Sequence, residues 1–345
     1  MPTGTPPRAP SSRRRPLGIA IALLTCASGG NSEPLPLVAE EPHMGVVVRI
    51  EAYAPEGVNP ALAFRAAFDR VGDLARKLSS YRDDSELRQV ERNAWRSATS
   101  VSADFARVLE HAIELARKSD GAFDPTLGRV TRLVRAGGWG GALPEPSALE
   151  SAWKLTGWRH VELDPESRTV LFRRRGLQID LGGIAKGFVA DETLEALQSG
   201  GISQALVSVG GDIAAGAPPP GKRGWNVGID QVGDRGDAEI QLLLRHQAVS
   251  TSGSRERYFL LGDQMCSHVV ARDDASCTDV STAVSVVASS GLVADGLATG
   301  LLALGRDRSD VLLAHYPDVR VYWASQGPPA GRQLQRHVPP TESQR

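Results

Sequence analysis

Residues 177–192 read Leu-Gln-Ile-Asp-Leu-Gly-Gly-Ile-Ala-Lys-Gly-Phe-Val-Ala-Asp-Glu, and the rest of the chain is organised around this stretch. Leu177 to Leu181 alternates apolar and polar residues, which predicts a short buried strand. The two glycines that follow predict a turn, because glycine adopts backbone angles that other residues avoid. From Ile184 apolar residues recur at helical spacing as far as Gly200, which predicts a helix ending there.

A strand, a glycine turn and a helix in this order present free backbone N–H groups to an anion at the start of the helix. Lys186 lies in the first helical turn, where its positive charge opposes the helix dipole. Two interpretations follow from these residues alone. The lysine either faces a phosphate or carboxylate partner, or it is a solvated side chain beside a tight turn.

Composition excludes several classes of protein. The chain has 345 residues, 41% of them hydrophobic, enough for one large domain or two of ordinary size. The net charge of −1 gives no support for nucleic-acid binding. The 36 glycines and 22 prolines suit a loop-rich enzyme. Cys26, Cys266 and Cys277 form no CxxC pair, so neither a zinc knuckle nor a thioredoxin-type redox pair is supported.

Residues 1–34 have the features of an export signal and linker outside the fold. Three arginines, Arg13 to Arg15, precede the apolar run Leu17 to Leu24 and small residues around Cys26. We expect an exported, periplasmic or cell-envelope protein. The route is open between a general signal, a twin-arginine signal and a lipoprotein signal that would tether the protein to the membrane through Cys26 and residues 29–42. The alternative is an unprocessed, disordered N-terminus.

The remaining pattern predicts an α+β fold with mixed, largely antiparallel sheets and packed helices over residues 43–325, followed by a disordered tail at 326–345. Helices are predicted at Pro60–Leu78, Ala103–Ser119 and Gly291–Leu304, and Ser85 is a candidate cap for a short helix. Residues 137–146 predict a loop. The predicted strands are His43–Ala54, His160–Val161, Thr169–Phe172, Ala205–Val209, Trp225–Ile229, Glu239–Leu244, Gln247–Thr251 and Ser285–Ala288.

Four places carry polar side chains beside glycine turns or on a helix face: Asp180 before Gly182-Gly183, Asp212 after Gly210-Gly211, His268, and Asp295 with Thr299. Asp295 and Thr299 are four residues apart in the last predicted helix, so they share one face and can offer two hard oxygen ligands to Mg²⁺. The alternative is that Asp295 caps the helix and Thr299 bonds to its own backbone. His268 follows the strand-like Tyr258 to Leu261 and its Gly262-Asp263 turn, and taken alone it is either a functional or a structural histidine.

Taken in order, several stretches resemble the ApbE-type FAD:protein FMN transferases, which are Mg²⁺-dependent flavin transferases. The resemblance covers residues 43–305, and no single piece of it is decisive. The pieces are Met44-Gly45, Ser80-Tyr81, Asp84–Leu87, Gly121–Pro125, Asp180–Gly187, Val209–Asp212, Ser250–Gly253, Arg257–Phe259, His268 and Ala294–Thr299.

The resemblance implies an ApbE-like fold and a reaction that splits the FAD pyrophosphate. FMN passes to a threonine or serine hydroxyl of an acceptor flavoprotein with a flavinylation motif, and AMP leaves. His268 would be the general base on that hydroxyl. The FAD site would be formed by Met44, Tyr81, Ala122, Phe123, Asp124, Asp180 and Lys186. Mg²⁺ would be held by the side chains of Asp295 and Thr299 and the main-chain oxygens of Ala185 and Ala298.

The chain departs from the family pattern after His268. The family continues towards an Asp-Pro-x-Thr-Gly run, whereas here residues 269–277 read Val-Val-Ala-Arg-Asp-Asp-Ala-Ser-Cys. This change bears on acceptor recognition more than on FAD or metal binding. It leaves two alternatives, an FAD pyrophosphatase giving FMN and AMP, and a non-catalytic FAD-binding protein. Cys266 and Cys277 flank the loop and either form a disulfide or remain free thiols.

Overall fold

The computed structural model describes residues 34–136, 144–229, 240–253, 258–261, 264–270, 277–279, 282–325 and 335–337. The helices are α1 (Pro60–Leu78), α2 (Glu86–Asn93), α3 (Ala103–Lys118), α4 (Gly128–Ala136), α5 (Pro146–Trp153), α6 (Ala185–Ser199), α7 (Gly291–Leu304) and α8 (Ser309–Leu313). Short 3₁₀ turns lie at Trp158–His160 and Arg306–Arg308.

The strands in chain order begin with a hairpin and end with a short edge strand. They are β1 (Leu37–His43), β2 (Val46–Tyr53), β3 (Thr99–Ser100), β4 (Val161–Asp164), β5 (Thr169–Phe172), β6 (Gln204–Val209), β7 (Asp212–Ala215), β8 (Trp225–Ile229), β9 (Ile240–Leu244), β10 (Gln247–Gly253), β11 (Tyr258–Leu261), β12 (Gln264–Val270), β13 (Cys277–Asp279), β14 (Thr282–Ala288), β15 (Arg320–Ser325) and β16 (Gln335–His337).

The largest sheet has eight strands in the order β1-β2-β6-β7-β10-β14-β15-β16, and every neighbouring pair in it is antiparallel. Three smaller sheets have the orders β11-β12-β13, β3-β5-β4 and β8-β9. The predicted α+β class with largely antiparallel sheets is therefore confirmed.

The core lies where α1, α6 and α7 pack together and against the large sheet. Phe64 and Phe68 of α1 and Phe188 of α6 are buried there, as is most of α7. An amphipathic helix buries one stripe, whereas a helix that is apolar or small all round is buried on all sides. This difference explains why α1 lies on the outside and α7 at the centre.

Local sequence signals set the helix boundaries. The predicted bounds of α1 and α7 are confirmed. Asn59 accepts hydrogen bonds from the first turn of α1, and Pro60 follows it at the first helical position. Ser85 caps α2 as predicted, by accepting from the Arg88 N–H at 3.2 Å.

Leu177 to Leu181 is an extended segment with a single bridge from Gln178 to Leu127, so the prediction of a strand there is wrong. Two of its backbone N–H groups donate to partners outside any β-ladder. The Ile179 N–H donates to the Glu91 carboxylate at 2.8 Å, and the Asp180 N–H donates to the Pro125 carbonyl at 2.8 Å. A segment whose donors are taken by a side chain and a loop cannot form a regular ladder.

The chain ends also differ from expectation. The predicted strand His43–Ala54 corresponds to β2 at Val46–Tyr53, but its first residues differ: His43 ends β1, and Met44 and Gly45 form a turn with φ of 53° and 77°. Residues 37–42, assigned above to a tether, belong to β1. Gln335–His337 pairs with β15, so the prediction of a disordered tail is wrong for these three residues.

Helices α4 and α5 were not predicted, and α5 takes Pro146 from the predicted loop, of which residues 137–143 lie outside the described residues. The leader up to residue 33 and the rest of the tail also lie outside them. Within the described ranges, no helix is long and apolar enough to span a bilayer.

Candidate active site

Helices α6 and α7 cross with their backbones in contact. A Cβ built on Gly187 would lie 2.0 Å from the carbonyl oxygen of Gly291, and one on Gly291 would lie 2.4 Å from the carbonyl oxygen of Gly187. Only glycine permits so close an approach at both positions. The crossing sets the first turn of α6 beside Asp295 of α7.

Each helix supplies a carboxylate to the N-terminus of the other. Asp295 accepts from the Gly187 N–H at 3.0 Å, while Ile184, the N-cap residue of α6, provides no side-chain cap. Asp191 of α6 accepts from the Gly291 and Leu292 N–H groups at 2.7 and 3.0 Å. The carboxylate of Asp295 is therefore one anion that lies at the start of α6. The alternative that Asp295 caps its own helix is wrong, since Ser290 caps α7.

Lys186 forms an ionic cluster with two buried carboxylates. Its ammonium group donates to Asp212 and lies 3.9 Å from Asp295 Oδ1. Asp212 also accepts from the Ser250 hydroxyl, and it follows the Gly210-Gly211 turn at the start of β7. Asp212 and Asp295 are each only 2% exposed. The interpretation of Lys186 as a solvated side chain is thus wrong.

Burial dominates the acid–base behaviour of the two capping carboxylates. Burial and, to a lesser extent, the Asp212 charge together raise the pKa of Asp295 to about 7, against the opposing effects of Lys186 and the Gly187 N–H. Burial also raises the pKa of Asp191 to about 6, against the opposing effect of its two backbone hydrogen bonds. A nearby cation would stabilise the ionised form of both carboxylates.

Thr299 lies one helical turn beyond Asp295 on the same side of α7. Its Oγ1 is 3.2 Å from the Ser252 hydroxyl of β10, and a Cβ on Gly183 would approach Oγ1 to 2.9 Å. The glycine turn before α6 therefore fits closely against Thr299. This packing brings Ala185, the first residue of α6, to the same region as Asp295, Thr299 and the buried Ala298.

A second group of side chains surrounds Asp180, on the other side of the glycine turn. Asp180 Oδ1 accepts from the Gly182 N–H at 2.8 Å, and Oδ2 lies 3.2 Å from the guanidinium of Arg135. The same guanidinium lies 5.7 Å from the ring centroid of Tyr81, which is 76% exposed. Arg135 of α4 thus joins two predicted FAD-site residues that are far apart in sequence.

The Ala122-Phe123-Asp124 loop adjoins this group through the Pro125 carbonyl, which accepts from Asp180. The buried Asp124 carboxylate accepts from the N–H groups of Thr126 and Trp158 at 2.8 and 3.2 Å, so it organises its own loop. Phe123 is buried near Gly300 of α7, and Ala122 is half-buried.

Met44 lies at the tip of the β1–β2 hairpin. The Gly210 N–H donates to the Val47 carbonyl at 3.2 Å, and Val46 packs against Gly210. The hairpin tip therefore lies beside the Gly210-Gly211 turn that leads to Asp212. The structure brings Met44 to the same edge of the large sheet as the Lys186 cluster.

His268 lies in β12, the central strand of the β11-β12-β13 sheet, and this strand approaches α4 and α7. Its side chain is outside the described residues. The strand register sets Cys266 opposite Asp279 and Cys277 opposite Val270. A register shift lies between these two pairs, so the two cysteines are not directly opposite each other in the ladder.

Three site-supporting residues were not found from the sequence. Arg135 and Asp191 are described above. The third is Glu91 of α2, whose carboxylate accepts from Ile179 N–H and lies 2.8 and 3.2 Å from Arg88 and Arg132. Burial raises the pKa of Glu91. All three lie in helices whose sequences carry no recognisable motif at these positions, and they reach the site only through contacts between distant parts of the chain.

Solved structures with the same architecture are flavin transferases or their relatives. The flavin transferase ApbE from Vibrio cholerae superposes with a TM-score of 0.77 at 24% identity, covering 87% of this chain and 96% of that one. The ApbE protein from Thermotoga maritima gives a TM-score of 0.75 at 26% identity, again over 87% of this chain. The fold is therefore that of the ApbE flavin transferases, as predicted.

Sequence comparison reaches the same class. A protein named FAD:protein FMN transferase from Treponema pallidum is 32% identical over 88% of this chain and 89% of its own length. A protein of the same name from Vibrio cholerae is 28% identical over 84% of this chain. The profile of the ApbE family matches residues 44–323. The chain belongs to the ApbE family.

Proposed function

We propose that this protein transfers FMN from FAD to a hydroxyl group of an acceptor protein and releases AMP. The observation that carries the proposal is the crossing of α6 and α7, which sets Asp295, Thr299 and Lys186 at one helix N-terminus. Hydroxyl and carboxylate oxygens beside a lysine and a helix start suit a pyrophosphate substrate with a divalent cation. The relatives of this chain carry the corresponding name.

Mg²⁺ would be held by the Asp295 and Thr299 side chains with the main-chain oxygens of Ala185 and Ala298. A buried carboxylate whose pKa is raised supports this assignment, since a cation beside it would compensate its lost hydration. Within the described part of the chain, no group of three or more acidic, histidine or cysteine side chains is placed to hold a metal, so the proposed site would rely on one carboxylate, one hydroxyl and main-chain oxygens. When bound, Mg²⁺ neutralises charge on the pyrophosphate.

The protein's own groups would bind and orient FAD around this point. Lys186 would face the phosphates. Asp180 is fixed by Arg135, and Tyr81 offers an exposed aromatic surface over the same guanidinium. The adjoining Ala122–Asp124 loop and Met44 complete the proposed FAD site.

His268 would remove the proton from the acceptor threonine or serine, which then attacks the FMN phosphorus while AMP leaves. An imidazole with an ordinary pKa of about 6.5 suits this role near neutral pH. His268→Ala should keep FAD affinity and lose transfer. His315→Ala, a histidine outside the site, is the control. Normal transfer by the His268 variant would remove it as the base.

We further propose that residues 1–34 direct export to the periplasm or cell envelope, with Cys26 as a site of lipid attachment. Expression of the full chain and of Cys26→Ser, followed by fractionation, tests this. The full chain should be found in the membrane fraction and the variant should be released. Equal release of both would exclude the lipid tether.

The reaction is tested with protein lacking residues 1–34, FAD and Mg²⁺, with AMP measured in the presence and absence of an acceptor domain. AMP that requires acceptor, together with an FMN mass increment on its threonine or serine, would support the transferase. AMP in both reactions without an adduct would indicate an FAD pyrophosphatase. FAD binding without AMP would indicate a binding protein. Asp295→Ala should abolish Mg²⁺-dependent turnover.

A further inference from the structure

A cationic face lies on the small β3-β5-β4 sheet and the end of α2, outside the site described above. It comprises six basic side chains, five of them exposed and Arg174 half-buried. They are Arg92, Arg96, Lys154, Arg173, Arg174 and Arg175. Three separate segments supply them, and the hydrogen bond from the Phe172 N–H to the Ala94 carbonyl at 2.9 Å joins two of these segments.

The acidic side chains that reach this face are fewer than the basic ones. Glu162 pairs with Arg173, and Glu150 pairs with Lys154 at 2.6 Å. The other four arginines form no ion pair with any described residue. Two of these, Arg92 and Arg174, donate to the main-chain carbonyls of Asp83 and Lys154. Because the whole chain carries a net charge of only −1, this excess is a local feature.

Two of the arginines are held by stacking on a tryptophan. The guanidinium carbons of Arg96 and Arg175 each lie 4.7 Å from the ring centroid of Trp95. Stacking on an aromatic ring fixes the guanidinium plane and leaves its in-plane N–H donors free for a carboxylate. Preorganised arginines lose less side-chain entropy when they bind an anion.

The cationic face borders the proposed active site. Arg175 precedes Asp180 by five residues, which span at most about 17 Å of extended chain. Arg92 directly follows Glu91, whose carboxylate contacts the Ile179 N–H. A standard interface covers about 800 Å² on each partner, which corresponds to a radius of roughly 16 Å. A protein that inserts a hydroxyl into the site would extend over this face.

We propose that the cationic face binds acidic side chains of the acceptor protein and positions that protein for transfer. The inference rests on the proposed function, since a protein acceptor is required. Planar guanidinium groups match carboxylates in a bidentate geometry, and complementary charge increases the rate of encounter. The face therefore determines which acceptors are used and does not take part in the chemical step.

The test compares the full-length protein with the double variant Arg96→Glu/Arg175→Glu. The matched control is Arg65→Glu/Arg245→Glu. Both control arginines are exposed, Arg65 near the C-terminal end of α6 and Arg245 near the end of β7 remote from Asp212. The double variant should raise the acceptor KM about tenfold at low salt, with kcat and FAD affinity unchanged. The control variant should behave as wild type.

Binding of poly-L-glutamate separates this inference from the proposed function, because it needs no turnover. Wild type and control should bind the polymer in a salt-sensitive manner, and the Arg96→Glu/Arg175→Glu variant should not. Equal polymer binding by all three proteins, or an unchanged acceptor KM, would overturn the inference. Selective loss of binding to phosphatidylglycerol vesicles, with acceptor KM unchanged, would overturn it in favour of a membrane contact. Absence of transfer by wild type would instead contradict the proposed function.

Discussion

Asp191 and Asp295 lie on two crossing helices, and each carboxylate caps the N-terminus of the other helix. Asp295 of α7 accepts from the first turn of α6, and Asp191 of α6 accepts from the first turn of α7. Capping by a neighbouring helix makes the orientation of each helix depend on the other. Since burial raises the pKa of both carboxylates, the crossing is also sensitive to pH.

The pH dependence of stability follows from these pKa values. A carboxyl group whose pKa is higher in the folded than in the unfolded state stabilises the fold at low pH, and this contribution is lost as pH rises. For Asp295 the loss falls between pH 4 and pH 7 and is worth roughly 4 kcal/mol. We expect metal-free protein to show a lower unfolding temperature at pH 8 than at pH 5, and added Mg²⁺ to restore it at pH 8.

The variant Asp295→Asn separates the contribution of this group from that of Asp191. It should have a flatter stability profile above pH 6 and should gain nothing from Mg²⁺. Asp191→Asn should flatten the profile between pH 4 and pH 6 and keep the response to Mg²⁺. Thermal unfolding followed by circular dichroism measures both. A Mg²⁺ response that survives in Asp295→Asn would contradict the metal assignment.

The contact of Gly187 with Gly291 predicts a strong effect of one methyl group. Gly187→Ala would place a Cβ 2.0 Å from the Gly291 carbonyl oxygen and force the helices apart. Overpacking of this kind costs about 1–3 kcal/mol. We expect a lower urea midpoint and loss of FAD turnover, because the separation between Lys186 and Asp295 changes.

Gly72→Ala is the matched control for that variant. A Cβ at this position in α1 would meet its nearest atom at 3.7 Å, an ordinary contact. Alanine in a helix is favoured over glycine by about 0.5–1 kcal/mol. We therefore expect Gly72→Ala to raise the urea midpoint and keep activity. Equal behaviour of the two variants would show that the helix crossing tolerates a side chain.

Removal of the lysine charge should destabilise the fold, because the buried carboxylates of Asp212 and Asp295 would then repel each other. Lys186→Met leaves Asp212 and Asp295 without their cation, and breaking a buried ion pair typically costs about 3–5 kcal/mol. The loss should be large at pH 8 and smaller at pH 5, where Asp295 is protonated. Lys154→Met removes a fully exposed ion pair and should leave the unfolding midpoint nearly unchanged. A pH-independent effect of Lys186→Met would contradict this electrostatic account.

Local sequence signals were sufficient for some elements and insufficient for others. Helices α1 and α7 were predicted to the residue, because capping side chains and apolar periodicity define their ends. Apolar alternation before Gly182 predicts a strand, but it does not reveal that Glu91 and Pro125 accept hydrogen bonds from the backbone N–H groups of this segment. The residues of the site also divide into those that local sequence patterns identify and those that they do not. Lys186 and Asp295 were identified within motifs, whereas Arg135 and Asp191 act through long-range contacts that no local pattern encodes.

Glu91 offers a test of how the Asp180 segment is positioned. Its buried carboxylate holds the Ile179 N–H, and the segment continues directly to Asp180 and the glycine turn. Glu91→Ala removes the acceptor and leaves Arg88 and Arg132 without their counter-charge, at a cost of about 3 kcal/mol or more. Glu91→Gln keeps a carbonyl acceptor and loses only the charge.

We expect Glu91→Gln to raise the KM for FAD several-fold with little change in kcat, because the segment shifts but Asp295, Thr299 and His268 are retained. FAD titration by flavin fluorescence should show the same weakening without turnover. A purely structural role predicts a lower unfolding temperature with unchanged FAD affinity. That result would separate Glu91 from the flavin site and leave it as a support for the packing of α2 against α4.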